Sequence, residues 1–119
     1  MRKIVLASFA ALLASAALAA PAAAQAPAYV GKWGNNPLQC LVDQSLPAAP
    51  MLLDRRGFAQ HKTRCAFNSV RKIGKASWRM RSNCTVEGDR QRHSFTVAVN
   101  GNAMNMRDRA GARNLVRCP

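Results

Sequence analysis

The chain has 119 residues and carries 18 lysines and arginines against 5 acids, for a formal charge of +13 at pH 7. That length holds one small domain and leaves no room for a second core. The charge disfavours basic partners, which are repelled at long range, and favours anionic ones.

The N-terminus reads MRKIVLASFAALLASAALAAPAAAQ. Arg2 and Lys3 precede an apolar, Ala-rich run from Ile4 to Ala20, and Ala22-Ala23-Ala24 supplies small residues at an A-x-A site. This is the layout of a secretory signal peptide over residues 1–24, cleaved after Ala24. The apolar run barely reaches bilayer length and is too Ala-rich to anchor well, so the mature chain is expected not to span a membrane. Residues 25–119 then form a single small β domain. Removing Arg2 and Lys3 leaves 16 basic and 5 acidic side chains, a net charge of +11. Export to the periplasm or beyond permits disulfides. The four cysteines are Cys40, Cys65, Cys84 and Cys118, without a C-x-x-C and with no common zinc spacing. They are expected to be structural, with no metal and no cofactor, and four cysteines allow three pairings.

Gln25 to Ala28 is a short tail, and YVGKWG opens the fold. NNPLQCLVDQSLPAAP has three prolines and little periodicity, so it reads as an irregular connection with one helical turn around Leu38 to Val42. MLLD is a short strand, RRG punctuates, and FAQHKTRCAFNSVRKI reads as one long run. In it Thr63, Cys65, Phe67 and Ser69 alternate with Lys62, Arg64, Ala66 and Asn68. Beyond Gly74-Lys75, Trp78, Met80, Ser82, Cys84 and Val86 alternate with Ser77, Arg79, Arg81, Asn83 and Thr85. Period two over such lengths marks half-buried antiparallel strands.

A two-residue loop at Gly74-Lys75 has the Gly-first signature of a type II′ turn. It sets Ile73 opposite Ala76, Arg71 opposite Trp78, Phe67 opposite Ser82 and Thr63 opposite Val86. Cys65 then faces Cys84, and opposed residues lie within disulfide reach. Turn and cysteines give one register independently. EGDRQ is an ordinary loop. Asn100-Gly101 predicts a second hairpin, with Val99 facing Asn102, Val97 facing Met104 and Phe95 facing Met106. A turn at RAGA leads to a last strand, RNLVRC. The fold class is all-β: a small antiparallel meander of about six strands plus YVGKW, forming a barrel or a curved, partly closed sheet. If it closes, the first strand lies beside the last and Cys40 can reach Cys118.

That register puts Arg64, Lys72, Arg79 and Arg81 on the outward face of the central hairpin. Arg90 and Arg92 join them if the next strand starts early enough. Charged outward residues keep small sheets soluble; six cations on one face also make an anion-binding surface for an acidic protein or an anionic envelope. Arg71 falls on the apolar side, where its guanidinium can stack on Trp78. Nucleic acid is not an expected partner, because the strand aromatics belong to the core and leave no stacking platform. Nor is an enzyme expected. His61 and His93 are isolated in sequence, His93 on an outward or edge position, and no paired carboxylates or nucleophile elbow occur.

GKWGNNPLQCLV, followed by cysteine-bearing strands and a terminal VRCP, resembles small exported bacterial four-cysteine β-proteins of unknown function. Through Gly31, Trp33 and Cys40 it also resembles lipocalin-like inhibitors of secreted metalloproteases. That likeness implies a small barrel whose N-terminal tail, here QAPAY, enters a protease active site. Ala110-Gly111-Ala112-Arg113 faintly resembles the loop of periplasmic lysozyme inhibitors, although a basic lysozyme would repel this chain.

Overall fold

Alternation along the chain produces strands that are apolar on one side only, and such strands must bury that side. In a computed structural model, which describes residues 14–15 and 25–119, eight antiparallel strands do so by closing into a barrel. They are β1 Gly31–Gly34, β2 Met51–Leu53, β3 Gly57–Gln60, β4 Thr63–Gly74, β5 Ser77–Val86, β6 Asp89–Asn100, β7 Ala103–Asp108 and β8 Gly111–Arg117. Each pairs with the next, and β8 returns to β1. The leader expected over residues 1–24 falls outside the described residues, apart from 14 and 15. Among the described residues, no helix is long and apolar enough to cross a membrane.

An eight-stranded barrel has an interior that side chains can fill. Trp33, Met80, Val97 and Met104 are almost wholly buried there, with Phe95, Met106 and Leu115 around them. Both disulfides form, Cys65–Cys84 across β4 and β5 and Cys40–Cys118 at the seam. Cys40 sits in a 3₁₀ turn, Gln39–Leu41, within the proline-rich connection. The seam ladder is short, Trp33 opposite Arg117 and Gly34 opposite Val116, and Cys118 N–H donates to the Lys32 carbonyl at 2.7 Å.

Three local expectations are corrected, besides EGDRQ, which is a turn only at Glu87-Gly88 because β6 starts at Asp89, opposite Val86. FAQHKTRCAFNSVRKI is two strands, because the chain reverses at His61-Lys62, with Gln60 opposite Thr63. His61 adopts φ 51°, a left-handed conformation in which His is enriched among non-glycine residues. The second hairpin turns at Gly101-Asn102, since Asn100 pairs with Ala103. Gly101, at φ 60°, takes the first loop position that a type II′ turn reserves for glycine. The register therefore moves by two, setting Val97 opposite Met106 and Val99 opposite Met104. An even shift leaves every inward residue inward.

The third correction lies in the stapled hairpin. Thr63, Cys65 and Phe67 meet Val86, Cys84 and Ser82 as expected, but Ser69 then meets Arg81. Asn68 is an extra residue, a β-bulge, and it reverses the phase of everything after it. Val70 thereby comes opposite Met80, Arg71 opposite Arg79 and Lys72 opposite Trp78. A second irregularity at Ile73 brings Gly74 to Ser77, so the loop is Lys75-Ala76. Without the bulge, Val70 would face water and Arg71 would face the barrel interior.

The tail just before β1 is also fixed in place. Tyr29 is 2% exposed and meets Trp78 edge-on, with centroids 5.1 Å apart. Trp33 Nε1 donates to the Tyr29 carbonyl at 2.9 Å. Arg117 lies 4.3 Å from the Trp33 ring centroid and donates to the Val30 and Ala28 carbonyls. Burial pushes the Tyr29 phenol above the ordinary tyrosine range, with Arg55 opposing and Asp54 adding to the shift. The folded state therefore holds this proton more tightly than the unfolded chain does. The associated stability is fully present below about pH 10, where free tyrosine ionises, and is lost as pH rises through the folded value. Tyr29 is the sole tyrosine, so tyrosinate absorbance reports on it alone. Its titration midpoint is expected above that of the urea-unfolded chain; coincident midpoints would contradict the burial argument.

Candidate functional site

The outward face of β4, β5 and β6 collects arginines because each strand alternates and the three registers align. Reading across the ladders gives four rows. Arg64 faces Thr85, which faces Arg90; Ala66, Asn83 and Arg92 form the next. Ser69, Arg81 and Ser94 follow, and then Arg71, Arg79, Thr96 and Arg107. Every arginine in these rows is exposed. No acid stands in any row, and among the described residues none of these arginines pairs with a carboxylate. Neighbouring strands lie about 5 Å apart and successive rows about 7 Å apart along a strand, so a cation in one row is within a Debye length of the next. Two depressions border this surface. One, of about 440 Å³, is lined by Asn83, Cys84, Thr85, Arg90, Gln91 and Arg92. The other, of about 600 Å³, is lined by Ser69, Val70, Arg71, Lys72, Arg79 and Arg81.

Of the expected anion-binding residues, Arg64, Arg79, Arg81, Arg90 and Arg92 share the outward face. Lys72 does not. The bulge at Asn68 gives it inward phase opposite Trp78, where its ammonium lies 5.8 Å from the indole centroid. It remains exposed because β4 extends past the barrel wall here, and its long stem reaches water. Arg71, expected beside Trp78, takes the outward place opposite Arg79. Sequence reasoning also passed over Arg107. The alternation of Met104 and Met106 already marked it as outward, and β6–β7 pairing brings it to the end of the Arg71–Arg79 row.

The histidines are separated by their partners. His61 N–H donates to Gln44 Oε1, and its Nδ1 lies 3.1 Å from the Gln44 carbonyl. His93 departs from the outward or edge position expected of it, pairing with the buried Ser82 and sharing the inward phase of Phe95. Its ring stacks on Phe95 at 5.3 Å, and Nε2 stands 3.7 Å from Asp108 Oδ2. That is one imidazole beside one carboxylate. Among the described residues, no three His, Cys, Asp or Glu side chains group so as to hold a metal ion. Set against protein-family models, curated proteins and solved structures, the chain matches none.

Proposed function

We propose that this is an exported, non-enzymatic barrel that binds an acidic partner protein or the anionic envelope surface through the outer face of β4, β5 and β6. The observation that carries this reading is the set of four rows: exposed arginines from four strands with no acid among them. Such a face raises the local concentration of anions and captures them in a salt-dependent way. The cations belong to a rigid, disulfide-stapled sheet, so little order has to be gained on docking. Arg79 and Arg81 stand at the centre: Arg79 lies between Arg71 and Thr96, and Arg81 between Ser69 and Ser94.

The test is charge reversal there. Arg79→Glu together with Arg81→Glu is expected to weaken salt-sensitive binding to anionic vesicles or envelope fractions on the order of tenfold or more. Both side chains are exposed, so the fold should tolerate the change. Unchanged binding by the double variant would end this reading.

A further inference from the structure

β4 runs on past the end of its neighbour β3. Its first half pairs on both sides, with β3 from Gly57 to Gln60 and with β5. The β3 ladder ends at Gly57–Ala66, and one more hydrogen bond follows, from Phe67 N–H to the Arg56 carbonyl at 2.7 Å. Beyond the bulge at Asn68, Ser69 to Lys72 and then Gly74 pair with β5 alone, and every residue from Asn68 to Gly74 is exposed. In an antiparallel ladder every second residue turns its N–H and C=O away from its partner. This stretch therefore offers a row of main-chain donors and acceptors to an added strand. Side chains of opposite character flank it: Arg71 with Arg79 and Arg81 on one face, Val70 and Lys72 on the other.

We infer that the open β4 edge takes up an extended acidic segment of a partner protein as a ninth strand. This rests on the anion-binding reading for its charge, and on the ladder for its geometry. The charge chooses the occupant. A second copy pairing edge to edge would bring Arg71 and Lys72 against their own kind, and like charges directly opposed are destabilising. A strand with carboxylates at every second residue sets them against Arg71, with Arg79 and Arg81 beyond it. The intervening apolar residues then lie beside Val70, which is 38% exposed although it stands opposite the fully buried Met80. Main-chain bonds would supply affinity, and the alternation would supply specificity.

The experiment measures binding of a blocked peptide that alternates Asp and Val, together with versions N-methylated on the Asp amides or on the Val amides. Anionic phospholipid vesicles are measured in parallel. An added strand uses the N–H groups of one phase only. One methylated peptide should therefore lose affinity on the order of tenfold or more, while the other binds like the parent. Hydrogen exchange should slow at alternate amides between Ser69 and Lys72. Arg71→Glu should weaken the parent peptide, whereas Lys62→Glu, the same charge change in the turn before β4, should not. If both methylated peptides bind like the parent, charge alone captures them; the ninth strand is then wrong and the anion-binding face stands. If vesicles bind and the peptide does not, the partner is a lipid surface and the inference fails. If neither binds, the inference and the function on which it rests fail together.

Discussion

Replacing Cys40 and Cys118 together by serine is expected to lower the unfolding free energy by about 4.5 kcal/mol, the chain-entropy value for a loop of this size. The two residues are 78 apart in sequence, so the bond closes a long loop and removes that loop's closure entropy from the unfolded state. It also guards one of the two shortest ladders in the wall, the other being β2–β3. The seam between β1 and β8 holds two residue pairs, whereas β5 and β6 form an unbroken ladder from Ser77–Ala98 to Val86–Asp89. Hydrogen exchange should therefore accelerate first at Trp33, Gly34, Val116 and Arg117. The matching Cys65→Ser, Cys84→Ser variant loses a bond that spans a separation of only 19 and is expected to lose about 3 kcal/mol. It should keep a closed barrel, because the β4–β5 ladder persists around it. Denaturant midpoints of the two variants give the comparison. Equal losses, or a seam no more labile than β5–β6, would refute the assignment of Cys40–Cys118 as the closing bond.

Gly57→Ala is expected to cost about 3 kcal/mol or more, at the upper end of what overpacking does. A Cβ there would fall 1.9 Å from the Cys65 carbonyl oxygen and 3.3 Å from the Ala66 Cα. Those atoms are backbone in a paired strand and cannot rotate aside. The turn leading into Gly57 is held as well. Asp54 Oδ1 accepts from the Arg56 and Gly57 N–H groups at 2.7 and 2.8 Å, and Asp54 N–H donates to the Gly57 carbonyl. Relief requires β3 to part from β4 beside the Cys65–Cys84 bond. Gly101→Ala is the control. Nothing lies within 4 Å of a Cβ at that position, and the cost is the left-handed φ of 60° alone, roughly 1–2 kcal/mol. Thermal unfolding of both variants decides; a Gly57 variant no weaker than the Gly101 variant would show that the strands yield easily.

Much of this architecture was legible before any coordinates. Alternation through Trp78, Met80, Ser82 and Cys84 set the face of β5, and the facing cysteines set its register with the start of β4. The second half of β4 was not legible. Ser69 to Gly74 mixes polar, apolar and basic residues without a repeating contrast, so its phase leaves no trace in composition. The turn at His61-Lys62 was hidden likewise, since it carries none of the glycine, asparagine or proline that announce a reversal. The second hairpin came out displaced because Asn100-Gly101 and Gly101-Asn102 both supply turn chemistry. The displacement did no harm to the core, because two residues preserve parity.

What the sequence by itself determined is the half-buried strand, the basic surplus and the cysteine pair that opposes across one hairpin. Each follows from local periodicity or from counting. What only the tertiary structure decided is which cations share a face and where a strand edge stands open. An extra residue at Asn68 exchanges Arg71 for Lys72 on the outer surface, and whether that residue is absorbed depends on what waits across the ladder. Val70 gains Met80 as its neighbour and Arg71 regains water. That exchange is a property of β4 packed on β5 and is not contained in either strand alone. The open edge arises in the same way. β3 stops pairing at Gly57 while β4 runs on to Gly74, so a difference in strand length between distant segments becomes an unpaired row of backbone groups.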